Sequence, residues 1–477
     1  MTPRALTLGV LIGNRDFFPD PLVAEARADV LKLCEEHGVE PVLVSVDETK
    51  LGGVETHAEA RRCAELFRQH RDAIAGLLVV LPNFGDEKGI ADAIRLSGLR
   101  VPILVQGYPD DLDQLSAARR RDAFCGKISV CNNLCQAGIP FSLTTRHVVR
   151  PSDPSFRADL ARFLSVCRVV RGLRAVRIGA VGARPGAFNT VRYSEKILER
   201  NGISVTTVDL SEILGAAERL EAADPRVEEK LAAVRRYAPA PGVPESKLRD
   251  MARLAVVLGE FMEAHALDAT AIQCWTSLQG NYGCNVCTAM SMMSEQFLPS
   301  ACEVDVTGAL TMYAMQLAAN SPAALVDWNN NYGEDPDKCV LFHCGNWAKS
   351  FLPDIEISHA PILGSTLGVE NTYGALSGRT PAGSLTFGRL TTDDAAGSIR
   401  AYVGEGTLTD DRLETFGTRA VAHVSRLEKL LRHVCLNGFE HHAVMTQSHT
   451  ADVLAEAFAR YLGWEVYYHE DPQAEGY

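Results

Sequence analysis

The sequence predicts an α/β protein, with two Rossmann-like open parallel-sheet domains followed by a smaller β-rich, barrel-like domain. Three observations lead to this prediction. At 477 residues the chain is too long for one hydrophobic core, so two or three domains are expected. Short apolar segments alternate with helical patterns up to about residue 351, as in right-handed βαβ units. Beyond it, segments punctuated by Thr and Gly are typical of antiparallel strands.

The first domain is predicted over residues 1–170. Apolar segments at 6–12, 40–46, 74–81 and 102–106 predict strands, and amphipathic stretches between them predict helices. The segment 74–81 reads IAGLLVVL, a continuous apolar run that suits a parallel sheet covered on both faces. These features favour an open α/β domain.

The second domain is predicted over residues 171–351 and the third over 352–477. A strand at 174–181 leads into a glycine-rich turn at 182–190. Its glycine spacing does not match a dinucleotide-binding fingerprint, and Pro185 removes a backbone donor. A tight strand-to-helix turn is therefore the favoured interpretation, and a small-molecule contact through Arg184 is the second.

Composition narrows the class of protein. Apolar residues make up 46% and charged residues 22% of the chain, as in ordinary globular proteins. The formal net charge of −13 argues against a nucleic-acid partner. No apolar run approaches the length of about 20 residues that a membrane span needs, and the first residues lack a cleavable signal pattern. A cytoplasmic protein without membrane contact is expected.

The thirteen cysteines are scattered, which indicates reduced thiols rather than a disulfide framework. The pair Cys284 and Cys287 has the spacing of half a zinc site. A structural zinc site wants four soft ligands, and the nearby candidates are Cys274 and Cys302, without a second close pair. Buried thiols are the favoured interpretation. A nucleophilic pair of Cys344 with the adjacent His343 is disfavoured, because neighbouring side chains rarely meet.

The stretch 301–351 carries the strongest chemical signal. Glu303, Asp327 and His343 each lie at the end of an apolar segment. A charged carboxylate in such a place costs several kcal/mol unless it is paired or binds a metal. The stretch therefore predicts a divalent-metal site with an acid/base pair. The alternatives are a helix cap or a buried, hydrogen-bonded acid, and Asp305 is interpreted as such a capping or solvated acid.

The residues Cys302-Glu303-Val304-Asp305, Gly308 to Met312, Asp327 and Phe342 to Gly345 together resemble the L-fucose isomerase family. The opening segment GVLIGNRDFFPD, Gln273-Cys274-Trp275 and the closing pair His441-His442 are similar to that family as well. The resemblance covers most of the chain, and L-arabinose isomerase is a more distant relation. It implies a metal-dependent aldose–ketose isomerase that acts through an ene-diolate.

The resemblance also implies a ligand set. Glu303, Asp327 and His442 would hold a divalent ion, usually Mn²⁺, with His441 as a possible misregister for His442. His343 would be a fourth ligand, as in the arabinose enzymes. Carboxylate and imidazole ligands suit Mn²⁺, Co²⁺ or Mg²⁺. Glu303 and Asp327 would also be the catalytic groups, with Glu303 as the base and Asp327 serving the sugar oxygen, or the reverse.

Substrate contacts are expected from Arg15, Gln273, Trp275 and Asn437, and a surface ion pair is the alternative for Arg15. In the family the site is shared between subunits, which implies a homotrimer or homohexamer. Two rivals remain. One is an isomerase of an acidic or sulfonated sugar, with Arg184 or Lys349 holding the extra anion. The other is a non-catalytic sugar-binding protein built from paired α/β domains.

Overall fold

The computed structural model describes residues 6–221 and 223–470. Residues 1–5 and 471–477, at the outer ends of the first and third predicted domains, and residue 222 lie outside the described part. The chain divides into two compact units. The N-terminal unit runs to Arg171 and includes Arg460–Gly463, and the C-terminal unit comprises Gly172–Ala459 and the segment from Trp464 onward. The domain boundaries at 170/171 and 351/352 stay a prediction.

The N-terminal unit is built on a parallel five-stranded sheet. Its strands are β1 (Thr7–Ile12), β2 (Glu40–Val42), β3 (Ile74–Leu81), β4 (Ile103–Gly107) and β5 (Ser142–Leu143). Its helices are α1 (Pro21–Glu36), α2 (His57–Gln69), α3 (Glu87–Ser97), α4 (Ala123–Gln136) and α5 (Pro154–Leu173). The strand order is β2-β1-β3-β4-β5. Every residue of β1 and β3 is buried, because helices cover both faces of the sheet.

The C-terminal unit contains a second parallel sheet, with the order β7-β6-β8-β9. Its strands are β6 (Arg177–Val181), β7 (Ser204–Val208), β8 (Ala269–Ile272) and β9 (Ser300–Cys302). The accompanying helices are α6 (Glu195–Arg200), α7 (Leu210–Arg219), α8 (Pro225–Tyr237), α9 (Glu245–Ala264), α10 (Ser277–Asn281), α11 (Cys287–Glu295) and α12 (Val306–Ala319). Helix α12 has no charged residue and is buried almost all round, since β8 and β9 pack on one side and two strands of the C-terminal mixed sheet on another.

A nine-stranded mixed sheet completes the C-terminal unit. Its strands are β10 (Ala324–Tyr332), β11 (Asp335–His343), β12 (Glu356–His359), β13 (Tyr373–Arg379), β14 (Gly383–Asp393), β15 (Ser398–Thr409), β16 (Thr418–His423), β17 (His442–Thr446) and β18 (Glu465–Tyr468). The helices are α13 (Pro361–Leu367), α14 (Leu427–Leu436) and α15 (Ala451–Glu456). Pairing of β15 with β16 closes six strands, β16-β11-β10-β17-β14-β15, into a barrel.

These sheets confirm the predicted fold class: two parallel-sheet α/β parts and a barrel. One detail differs. The barrel begins at β10 and β11, within the stretch that the sequence pattern assigned to the second α/β domain. Short apolar runs such as Ala324–Val326 suit a buried strand of either kind of sheet, so periodicity alone does not distinguish them. In the described part of the chain no helix combines the length and the apolarity that a membrane crossing requires.

Candidate active site

Glu303 lies where β9 ends, at the carboxyl edge of the parallel sheet, before α12 begins. Glu303 and Val304 both adopt left-handed backbone conformations, with φ of 57° and 55°. Such conformations cost about 1–3 kcal/mol each in non-glycine residues and persist where the surroundings enforce them, often at active sites. The Glu303 side chain is buried. Its Oε1 accepts hydrogen bonds from Trp275 Nε1 at 2.8 Å and from Cys274 Sγ at 3.2 Å.

Three neighbouring barrel strands bring the other predicted ligands to the same place. Strand β10 pairs with β17 so that Asp327 stands opposite His442, and with β11 so that Asp327 stands opposite Phe342, next to His343. His442 and His343 are buried, and Asp327 is partly exposed. The ladder register therefore carries residues more than a hundred positions apart into one cluster.

The polar atoms of this cluster converge. His442 Nε2 lies 3.7 Å from Glu303 Oε2 and 3.5 Å from Asp327 Oδ1. His343 Nε2 also lies 3.7 Å from Glu303 Oε2. Glu303 Oε2 itself is buried and has no hydrogen-bond partner among the described residues. A buried carboxylate oxygen without a donor, facing two imidazole nitrogens, is the arrangement expected where a cation binds.

Asp305 orients His442. Its Oδ2 accepts a hydrogen bond of 2.8 Å from His442 Nδ1, which leaves Nε2 free to bind a cation. Arg389 donates to both Asp305 oxygens at 2.6 and 2.8 Å, and Arg389 Nε lies 3.2 Å from Glu440 Oε2. Asp305 also caps α12 through Gly308 N. The sequence interpretation of Asp305 as a cap is confirmed, but "solvated" is wrong, because Asp305 is fully buried.

The charges in the site perturb one another. Burial raises the pKa of Glu303, and the two neighbouring imidazoles oppose that rise only in part. Burial alone would raise the pKa of Asp305 too. The guanidinium of Arg389 and the His442 hydrogen bond instead hold the pKa of Asp305 well below its usual range. The site thus holds one buried carboxyl group with a raised pKa, Glu303, and one that stays charged, Asp305.

The two other histidine positions are also defined. The backbone N–H of Cys344 donates to His343 Nδ1 at 3.0 Å, so a neutral His343 ring carries its proton on Nε2. His441 Nε2 lies 3.6 Å from Asp327 Oδ1, on the more exposed side of the cluster. Burial and the charge of His442 lower the pKa of His441.

The predicted substrate residues fall in different places. Trp275 contacts Glu303 directly, and Gln273 Oε1 accepts from the backbone of Ala183 at 2.9 Å. Asn437 ends α14, where its amide donates to His433 O. Arg15 belongs to the N-terminal unit.

There the Arg15 side chain contacts Glu87, donates to Gly85 O at 3.0 Å and stacks on Phe84. An ion pair is the alternative to a substrate contact that the sequence allows for Arg15. The substrate roles of all four residues, Arg15, Gln273, Trp275 and Asn437, stay predictions.

Comparison with known proteins places the chain in a family. A family model described as the N-terminal domain of fucose/sulfoquinovose isomerase matches residues 9–174. A second, described as the C-terminal domain of L-fucose isomerase, matches residues 341–470. Together the matches take in well over half of the chain. The chain belongs to the fucose isomerase family. Its members are aldose–ketose isomerases, which decides against the non-catalytic sugar-binding alternative.

Relatives of this isomerase carry a more specific name. The sulfoquinovose isomerase of Priestia aryabhattai is 23% identical over 348 residues, covering 71% of this chain and 74% of that protein. The sulfoquinovose isomerase of Priestia megaterium (strain ATCC 12872 / QMB1551) gives the same figures. That of Clostridium sp. (strain MSTE9) is 25% identical over 206 residues, 42% of this chain and 44% of that protein.

A loop that the sequence interpretation treated mainly as a turn approaches the isomerase site. Between β6 and α6, Phe188 places its ring 5.6 Å from His442, 5.3 Å from His441 and 5.8 Å from Trp275, measured between ring centroids. Arg184 and Arg192 of the same loop line a cavity of about 230 Å³ that also touches Val304, the neighbour of Glu303. Phe188 and Arg192 carried no recognisable signal in the sequence.

Proposed function

We propose that this isomerase converts a sulfonated aldose into the matching ketose with the help of a bound divalent ion. The observation that carries the proposal is the unpaired oxygen of Glu303, buried opposite His442 and His343. The relatives named sulfoquinovose isomerase support the sulfonated substrate.

The donor set fits a hard or borderline ion. Glu303, Asp327 and His442 would hold it. His343 would complete the set only by moving its proton from Nε2 to Nδ1 and giving up the hydrogen bond from the Cys344 backbone. Carboxylate and imidazole ligands suit Mn²⁺, with Co²⁺ and Mg²⁺ as alternatives. When bound, such an ion would act as a Lewis acid and stabilise the negative charge that develops on the sugar oxygens.

The side chains themselves would move the protons. Trp275 and Cys274 hold the Glu303 carboxylate in place through hydrogen bonds to Oε1, and this carboxylate would take the proton from C2 and return it to C1. Its raised pKa matches that task, since a base works best when its pKa approaches the operating pH. Asp327, partly exposed, would exchange protons with the sugar oxygens.

Arg184 and Arg192 are the proposed sulfonate contacts. Their hydrogen bonds go to the backbone, from Arg184 Nη1 to Pro185 O and from Arg192 Nε to Asn189 O. Neither guanidinium has a carboxylate partner within the described ranges, so both keep donors for an anion. Lys349, the other anion candidate, donates to Tyr237 O and lies over the Tyr237 ring, so its ammonium group already has partners.

A substrate panel tests the proposal. The Mn²⁺-loaded enzyme would be given a 6-sulfonated aldohexose, its non-sulfonated parent and L-fucose in deuterated water. Ketose formation and deuterium uptake, at C1 of the ketose and at C2 of the recovered aldose, would be measured, with chelator-treated enzyme as control. We expect kcat/KM to be highest for the sulfonated sugar and lost on chelation. Preference for a neutral sugar would refute the substrate, and full activity after chelation would refute the metal.

The assembly is also a proposal. On the family resemblance we expect a cytoplasmic homotrimer or homohexamer in which the N-terminal unit of one subunit, with Arg15, reaches the site of another. Light scattering of the active enzyme measures this directly, and an active monomer would contradict it.

A further inference from the structure

Phe188 stands where the loop between β6 and α6 contacts the isomerase site. Arg184 and Arg192 lie four positions to either side of it in the same loop. The Phe188 ring is half-buried. It meets the Trp275 ring at an interplanar angle of 89° and the His442 ring at 50°. The contact with Trp275 is the edge-to-face arrangement that aromatic rings favour, so the loop is packed onto the site through this one side chain.

The rings that Phe188 touches hold the reacting groups. Trp275 Nε1 donates to Glu303 Oε1 at 2.8 Å, and His442 Nε2 lies 3.7 Å from Glu303 Oε2. The start of the loop is attached to the same region, because Ala183 N donates to Gln273 Oε1 at 2.9 Å and Gln273 lies two residues before Trp275. The position of the loop therefore affects the partners of both Glu303 oxygens.

The two arginines hold the turn that carries Phe188. Pro185 O accepts hydrogen bonds from Arg184 Nη1 at 3.0 Å and from Phe188 N at 2.9 Å. Arg192 Nε donates at 2.9 Å to the backbone oxygen of Asn189, the residue that follows Phe188. An anion that binds either guanidinium thus acts on the backbone directly beside Phe188.

We infer that Phe188 is a positioning residue, which transmits binding of the substrate's anionic group to Trp275 and His442. The inference rests on the proposed function, in which Arg184 and Arg192 contact the sulfonate. An anion in the cavity of about 230 Å³ that these arginines line fixes the loop, and the loop holds Phe188 against the two rings. Binding energy from a group remote from C1 and C2 is then used to orient the reacting groups, which raises kcat rather than affinity.

Phe188→Ala separates this role from anion binding itself. The variant lacks the ring but keeps both arginines, so KM for the sulfonated aldose should be nearly unchanged. Its kcat should fall by up to about a hundredfold, the effect of a misplacement of about 1 Å at a reacting group. A loss that appears in KM alone, or no loss at all, would overturn the inference.

Titration calorimetry supplies a second readout, without sugar or turnover. Mn²⁺ would be titrated into metal-free enzyme with and without methanesulfonate, the free counterpart of the sulfonate group. Because the anion fixes Phe188 against His442, we expect methanesulfonate to tighten Mn²⁺ binding by about fivefold or more, as is usual for coupled sites. Phe188→Ala should lose most of this coupling. Direct attraction between the two ions would persist in the variant, so equal coupling in both proteins, or none in the parent, contradicts the inference.

Thr190→Ala is the matched control. Thr190 is exposed in the same loop, two residues after Phe188, and its replacement should leave kcat and the coupling as they are in the parent protein. Circular dichroism checks that each variant folds, and Phe188→Leu replaces Phe188→Ala if the alanine variant does not. A parent enzyme without preference for the sulfonated sugar refutes the proposed function, whereas a preference in kcat that survives in Phe188→Ala refutes this inference alone.

Discussion

Replacing Asp305 with Asn tests whether the buried ion network shapes the site. Asp305 and Arg389 are both fully buried, and two charge-assisted hydrogen bonds join them. Removing one partner of a buried pair typically costs about 3–5 kcal/mol. Asn retains the oxygen that caps α12, so the cost of about 1 kcal/mol for a lost cap is not added. Glu440 remains beside Arg389 and still compensates part of its charge. The expected loss in the free energy of unfolding is therefore near the lower end of this range, at about 3 kcal/mol.

The same substitution should loosen the metal site. An Asn at 305 no longer offers a charged acceptor to His442 Nδ1, so the ring loses the partner that fixes its tautomer. Affinity for Mn²⁺ should fall by about 10–100-fold. Urea unfolding of the metal-free protein and calorimetric Mn²⁺ titration measure the two effects separately.

Glu414→Gln is the control for this experiment. Glu414 pairs with Arg412, and both side chains are largely exposed, at 75% and 82%. Exposed ion pairs contribute little, so neither stability nor Mn²⁺ affinity should change measurably. The prediction is wrong if the free energy of unfolding of Asp305→Asn lies within about 1 kcal/mol of that of the parent protein and the variant binds Mn²⁺ equally well.

Three other predictions follow from single contacts. Glu303→Gln should lower kcat by at least about a hundredfold while circular dichroism stays unchanged, since acid–base groups contribute about 10²–10⁴-fold; near-parental activity would contradict the role. Arg184→Leu should raise KM for the sulfonated aldose by about tenfold but leave that of its neutral parent unchanged, because one charged hydrogen bond is worth about 1.5–3 kcal/mol; equal effects on both sugars would exclude a sulfonate contact. Burial lowers the pKa of Lys127 to about 8, from 10.5. Because the unfolded chain holds that proton more tightly, stability should rise between pH 8 and 10.5, by up to about 3 kcal/mol. The stability of Lys127→Met, measured by urea unfolding with hydrogen exchange in α4 as the probe, should not rise over this pH range. A flat dependence of stability on pH in the parent protein would disprove the prediction.

Much of the fold could be predicted from the sequence, because a continuous apolar run can form few structures other than a buried one. A segment such as β3 is buried wherever it folds, and its alternation with amphipathic helices leaves a parallel sheet as the consistent solution. Glu303, Asp327 and His343 stood out for the related reason that ionisable groups among apolar neighbours need partners. Their convergence, and the addition of His442, depended on a family resemblance, since no spacing rule links positions that distant.

The features that the sequence interpretation missed are tertiary in origin. Arg389 lies in a strand whose neighbours are apolar, a signal for a buried ion pair, but nothing near it identifies Asp305 as the partner. Phe188 reaches the histidines because of the path of a glycine-containing loop, which local patterns do not encode. The closure of the barrel between β15 and β16 likewise depends on pairing between non-adjacent segments.

The closed barrel has a consequence for synthesis of the protein. Strand β17 lies between β10 and β14, yet it is synthesised about fifty residues after β14 and more than a hundred after β10. Until it emerges from the ribosome, β10 lacks its partner on one side and Glu303 faces no imidazole from His442. Unpaired strand edges of this kind promote aggregation and require protection by chaperones. A chain that ends before residue 442 should therefore be insoluble as well as inactive. A separate peptide that carries the missing segment would have to insert its strand into the middle of the sheet.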